Sequence, residues 1–113
     1  MEGITYLASP YSHPDPEVRQ DRFERAVVAA GKLMRRGRTV FCPIAHSHDI
    51  GIYLGEESSF EFWMRQDLPI LRHCAELVVL MLPGWRDSRG VRREIDTAYA
   101  IGIPVSNVLP GEL

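Results

Sequence analysis

Six consecutive apolar residues, Leu77-Val78-Val79-Leu80-Met81-Leu82, end abruptly at Pro83-Gly84. An unbroken apolar run of this length, bounded by turn residues, reads as a buried strand. The stretch that follows, Trp85-Arg86-Asp87-Ser88-Arg89-Gly90-Val91-Arg92-Arg93-Glu94, reads as a turn and then a helix opening at Ser88 or Gly90. A helix N-terminus offers free N–H groups and the positive end of the helix dipole, which attract an anion and favour an ionised carboxylate. Glu94, in the first turns, is therefore expected to be ionised. A hydroxyl, a glycine and an ionised glutamate in this order suit a sugar or phosphate held beside a nucleophile. The glutamate also fits a simpler role as a complement to the helix dipole, and the segment taken alone favours that role.

The rest of the chain alternates strand and helix. Ile4-Thr5-Tyr6-Leu7-Ala8 is a short strand closed by Ser9-Pro10-Tyr11-Ser12-His13-Pro14. Asp15-Pro16 predicts a helix start, with Asp15 as N-cap and proline at the first helical position. That helix is expected to bury Phe23, Ala26, Val27, Ala30, Leu33 and Met34 and to stop at Gly37. Thr39-Val40-Phe41-Cys42 predicts a second strand, stopped by Pro43, and residues 44–57 a long loop of the kind that often carries function. Ser58-Ser59-Phe60-Glu61 predicts a capping box opening a helix with the apolar stripe Phe60, Trp63, Met64 and Leu71, kinked at Pro69. The strand at 77–82, a helix burying Val91, Ile95, Ala98 and Tyr99 up to Gly102, and a strand at 104–108 complete the order.

Alternation of this kind predicts an α/β fold: one doubly wound, Rossmann- or flavodoxin-like domain over residues 1–113. Its parallel sheet is expected to hold four to five strands, with helices on both faces. Ligands bind at the carboxyl ends of the strands in such sheets, which gathers residues 6–13, 43–48 and 83–90 on one rim.

Composition narrows the partners. Thirteen basic against fifteen acidic residues, net charge −2, give no sign of a nucleic-acid polymer or an anionic membrane surface as partner. No apolar run approaches a membrane span, and Met1-Glu2-Gly3 runs into the first strand with no leader expected. The two cysteines, Cys42 and Cys74, suit a reduced cytoplasmic protein. A domain of 113 residues gains from a partner subunit, so a homodimer or higher homo-oligomer is expected. Neither repeats nor low-complexity tracts interrupt it.

Asp67 falls within an apolar stripe, seven residues after Phe60. A carboxylate there must be paired, hydrogen-bonded or facing a cavity, because burying it bare is costly. Arg19 lies on the first helix near the rim, suited to clamping a phosphate or neutralising a carboxylate. Arg25, Lys32, Arg35 and Arg36 read as a solvated face. His46, His48 and Cys42 have the residue types of a zinc site but lack a second ligand cluster, and a loop histidine equally serves as a substrate contact or lies exposed. The reading expects no metal and no cofactor. A Walker motif, a G-x-G-x-x-G fingerprint and a G-x-S-x-G elbow are all absent from the sequence.

Tyr6 on the first strand with small residues after it, Asp67 on a central helix, and Ser88-x-Gly90-x-x-x-Glu94 opening the last large helix together resemble the nucleoside 2-deoxyribosyltransferase-like superfamily. The resemblance spans nearly the whole chain. It is nearest to a small branch of uncharacterised bacterial and phage proteins that share Tyr-Leu-Ala-Ser-Pro-Tyr-Ser-His (6–13) and Leu-Pro-Gly-Trp-Arg-Asp-Ser (82–88). The resemblance implies that Glu94 is the nucleophile attacking C1′ of the sugar, that the Tyr6 hydroxyl positions it, and that Asp67 helps deliver a proton to the leaving base.

Ser88 stands where the superfamily's nucleotide N-hydrolases carry a serine for the 5′-phosphate, whereas transferases acting on free nucleosides tend to carry an acid. An anion there would repel phosphate, while a hydroxyl and helix N–H groups welcome it. Asp87 is one residue away, so which of the two meets the ligand stays open. The implied substrate contacts are Ser9, Arg19, His46, His48, Asp87, Ser88 and Gly90, with Tyr11, Tyr53 and Trp63 as candidates to stack on the base. The implied function is a hydrolase cleaving the N-glycosidic bond of a nucleoside 5′-monophosphate. The alternatives are a base-exchanging transferase, a nucleotide-binding module without turnover, and a metal-dependent enzyme built on His46, His48 and Cys42.

Overall fold

The computed structural model describes residues 3–113; Met1 and Glu2, over which no leader is expected, lie outside the described residues. Four parallel strands form its sheet: β1 (Ile4–Ala8), β2 (Thr39–Phe41), β3 (Glu76–Leu80) and β4 (Val105–Val108), in the order β2-β1-β3-β4. Tyr6 stands between Phe41 and Leu77 in register. Strand β3 is buried along its whole length, as its apolar composition requires. The chain leaves β1 through helix α1 (Pro16–Arg35) to β2, then crosses to the other side of β1 to form β3. That reversal puts a topological switch point at the carboxyl ends of β1 and β3, where the two connections diverge and open a crevice.

Side chains alternate across the central strands with period two. Tyr6, Ala8, Leu77 and Val79 point to one face and pack with Met64, Leu68 and Leu71 of α3 (Phe60–Leu71) and Val91 and Ala98 of α4 (Arg89–Ile101). Leu7, Val78 and Leu80 point to the other and pack with Ala26, Ala29, Ala30 and Leu33 of α1. Full burial of each large apolar side chain contributes on the order of 1.5–3 kcal/mol, so these two layers dominate the stability.

Helix α1 starts as its sequence dictates: the Asp15 carboxylate accepts from the Glu17 N–H, and Pro16 fills a first-turn position whose N–H would otherwise lack a partner. Its inward arc is narrower than the apolar pattern, however, and Val27 and Met34 are 42% and 52% exposed. Each sits one residue beyond the buried positions, which rotates it out of the contact. Tyr99 of α4 is 68% exposed for the same reason, one residue past Ala98.

The expected loop over 44–57 is a helix, α2 (Pro43–Leu54), followed by a 3₁₀ turn at Gly55–Glu57. Pro43 seeds its first turn, and the side chain it turns inward is His48 rather than an apolar residue. The next helix is capped one residue later than expected. Ser59 accepts from the Phe62 N–H, and Glu61 reaches across to Arg93 at 3.9 Å instead of closing a box. Helix α3 continues through Pro69 to Leu71. At the opposite edge of the sheet from the crevice, buried Glu76 accepts from the Thr5 hydroxyl at 2.6 Å and from Arg38 at 3.0 Å, which fixes the amino ends of β1 and β3. No helix among the described residues is long and apolar enough to cross a membrane.

Candidate active site

A cavity of about 970 Å³ opens at the carboxyl ends of β1 and β3. Asp67 of α3 and Glu94 of α4 line its floor, and Tyr6 of β1, fully buried, lies behind Glu94. The Tyr6 hydroxyl donates to Glu94 Oε2, a contact between residues 88 apart in sequence. Asp67 and Glu94 are 7% and 5% exposed, and both line the cavity.

Burial sets the electrostatics of this floor. Desolvation alone raises the Asp67 pKa from 3.8 to about 7. Desolvation raises Glu94 from 4.5 to about 8; the Asp67 charge pushes the same way, and the Tyr6 hydrogen bond opposes both. Burial thus works against the expectation that the helix N-terminus keeps Glu94 ionised. Glu94 lies in the second turn of α4, where the dipole has weakened, and the cost of stripping water from its carboxylate outweighs it. Tyr6 is raised well above its ordinary value by burial and by the neighbouring carboxylates. Both carboxyl groups are therefore held above the ordinary carboxylate range, and they titrate as a coupled pair.

The wall above Glu94 is the start of α4. Ser88 is its N-cap, accepting from the Val91 N–H at 3.2 Å. Asp87 ends the preceding 3₁₀ turn (Trp85–Asp87), and Ser88, Arg89 and Gly90 line the cavity with it. The Pro83-Gly84 turn is pinned from α1. Arg22 donates to the carbonyls of Ser12 at 2.9 Å and Pro83 at 3.2 Å, so one guanidinium joins the loops that follow β1 and β3. Gly84 has φ +89°, a conformation that favours glycine, and a Cβ there would meet Arg22 Nη2 at 2.9 Å and push that guanidinium aside.

The other expected contacts divide. Arg19 lines the cavity and donates through Nη1 to the carbonyls of His13 and Pro14. His48 reaches the wall but is held on both nitrogens, by the Tyr11 hydroxyl at 2.7 Å and Gln20 at 3.1 Å, and stacks on Phe23 at 4.0 Å. Such a histidine braces α2 against α1. His46 is exposed, pairs with Ser47 and does not line the cavity, because the helical turn of α2 rotates it away from His48. Tyr11 and Trp63 line the cavity, whereas Tyr53 is 88% exposed. Among the described residues no group of three or more His, Cys, Asp or Glu is arranged to hold a metal ion.

Ser9 lines the cavity, but its hydroxyl is turned inward, buried and without a hydrogen-bond partner. Ser9→Ala removes an unpaired polar atom and no bond, so thermal unfolding should show unchanged or higher stability, by up to about 1 kcal/mol. Sequence reasoning missed Arg22 and Arg89. Arg22 follows Arg19 by one helical turn, a spacing that places both on one side of α1. Arg89, at the first position of α4, lies over the Phe60 ring at 4.0 Å.

A family model described as a domain of unknown function (DUF1937) matches residues 3–109 of the chain. No curated protein sequence matches it. Among solved structures, the 2-deoxyribosyltransferase of the psychrotolerant bacterium Bacillus psychrosaccharolyticus is similar, with a TM-score of 0.66 over 95% of this chain and 72% of that one. The two are 24% identical, and the likeness is one of fold.

Proposed function

We propose that this chain, which belongs to the family described as a domain of unknown function (DUF1937), hydrolyses the N-glycosidic bond of a nucleoside 5′-monophosphate. The observation that carries the reading is the buried Tyr6–Glu94 hydrogen bond, with buried Asp67 lining the same cavity as Glu94 beneath the N-terminus of α4. Two buried carboxyl groups with raised pKa values, one ionised and one protonated in the reacting complex, are what such a reaction uses. One stays ionised against the developing oxocarbenium ion, and the other gives its proton to the leaving group.

Glu94 attacks C1′ as the C1′–N bond breaks, and the electron pair leaves with the base, which takes the Asp67 proton. Ionised Asp67 then draws a proton from water, whose oxygen attacks C1′ and frees Glu94 with release of the sugar phosphate. The reactive arrangement has Asp67 protonated and Glu94 ionised. Hydrogen bonding from Tyr6 and the cationic character of the sugar both draw the negative charge to Glu94. Ser88 and the free N–H groups of α4 receive the 5′-phosphate. Tyr11 and Trp63 are the aromatic walls against which the base stacks.

Release of free base, followed by chromatography over a panel of ribo- and deoxyribonucleosides and their 5′-monophosphates, tests this reading. The expected result is faster release from monophosphates, with no acceleration when a second base is added. Acceleration by a second base, with the new nucleoside formed, would favour the transferase chemistry named for the similar Bacillus enzyme. No release from any member would leave a binding module. Ser88→Asp puts a carboxylate at the helix N-terminus, and like-charge repulsion should shift the preference from monophosphate to nucleoside by roughly tenfold or more.

A further inference from the structure

We propose that the cavity holds a second anion subsite, formed by Arg19 and Arg22, that receives the outer phosphoryl group of a nucleoside 5′-diphosphate. The inference rests on the glycosidase reading for the position of the sugar, and it extends the substrate class from monophosphates to diphosphates. Arg19 and Arg22 are half-buried, line the cavity and sit one turn apart on α1. Both are anchored to backbone carbonyls: Arg19 to His13 and Pro14, and Arg22 to Ser12 and Pro83. A guanidinium has about five N–H donors, so each keeps donors free after these bonds.

Neither arginine is neutralised. Among the described residues the ion pairs are Arg25–Asp21, Arg38–Glu76 and Arg93–Glu61, all elsewhere. A third guanidinium, Arg89, lines the same cavity directly after Ser88. The acids facing it are Asp87, Asp67 and Glu94, and burial raises the pKa values of the last two, which reduces the negative charge they bring. The mouth is therefore cationic, and its cations are already ordered.

Position separates this subsite from the first. Ser88 and the α4 N-terminus end the loop that begins at Pro83, and Arg22 is bonded to that beginning. A phosphate at Ser88 thus shares its cavity with the two guanidinium groups, which stand on the α1 side. The cavity volume of about 970 Å³ is near the upper end of the usual range for small-molecule sites, with space beyond a monophosphate. Preordered arginines bind a phosphoryl group bidentately at little entropic cost.

Calorimetric titration of Glu94→Gln, which retains the site while preventing turnover, with a nucleoside 5′-monophosphate and the matching 5′-diphosphate tests the subsite apart from the reaction. The diphosphate should bind roughly tenfold tighter, a gain of the size expected for one charge-assisted contact. Adding Arg19→Met or Arg22→Met should bring the diphosphate to within about threefold of the monophosphate, whose own affinity barely changes. Arg22→Met also unties two loops, so Arg19→Met, whose carbonyl partners lie on one loop, is the independent check.

Equal affinity for the two ligands would overturn the proposal, as would a preference that survives both replacements. An arginine-dependent preference in a protein whose wild type releases no base would uphold the subsite while removing the glycosidase reading.

Discussion

Glu94→Gln is expected to reduce base release by at least about a thousandfold while making the folded protein more stable at pH 8. The loss follows from the loss of a nucleophile: an amide cannot form the glycosyl ester, and only positioning by the remaining cavity is left. The gain in stability follows from linkage. Burial holds the Glu94 pKa near 8, above its ordinary value of 4.5. The protonated group is therefore favoured in the fold. Its contribution is full below the unfolded pKa and is lost as pH rises through about 8. A glutamine never ionises, so it escapes that penalty, by roughly 1–3 kcal/mol at pH 8. Denaturant unfolding at pH 5 and pH 8 checks the sign, since the difference between the two proteins should grow with pH. A glutamate that merely complements the helix dipole predicts the reverse: stability falls on substitution, and activity is untouched.

The second large effect is on the pH profile. With Asp67 near 7 and Glu94 near 8, the pair carries one proton across a narrow window, and base release should follow a bell with limbs in that region. These limbs belong to the pair rather than to either residue. Below the window both groups are protonated and the nucleophile is absent; above it both are ionised and the leaving base goes unprotonated. Asp67→Asn should remove the alkaline limb and cost roughly a hundred- to ten-thousandfold in rate for bases that need protonation. A profile with an acid limb near 4 would mean that Glu94 is not held up by burial in the working enzyme.

Much of this arrangement was legible in the residues. The apolar run 77–82, the Asp15-Pro16 start and the Gly102 stop carry local signals strong enough to survive packing, and β3, α1 and α4 follow them. Helix α2 was not legible. Its segment, Ile44 to Leu54, contains two histidines and a glycine, and its inward side chain His48 is polar, so a count of apolar spacing finds no stripe. Reading that segment as a loop also grouped His46 with His48, which a helix turns in different directions. Val27, Met34 and Tyr99 are apolar but exposed, because α1 and α4 each bury an arc narrower than their apolar pattern.

Tyr6, Asp67 and Glu94 come from three separate elements that no local pattern connects, and only the resemblance to a known superfamily joins them in the sequence. The electrostatics of Glu94 are hidden from the sequence for a related reason. Helix position is visible in sequence, whereas the depth at which Glu94 is buried depends on how α3, α4 and β1 close over it. Arg22 shows the same limit. Its partners are backbone carbonyls at Ser12 and Pro83, and backbone partners leave no trace in residue identity.

The central claim is that Glu94 bonds covalently to the sugar during cleavage. Peptide mapping by mass spectrometry after acid quench of wild-type protein turning over a nucleoside 5′-monophosphate tests it most directly. The account predicts a mass increase equal to the sugar phosphate on the peptide that contains Glu94, absent from Glu94→Gln. An adduct on a different residue, or base release at the wild-type rate by Glu94→Gln, would contradict it.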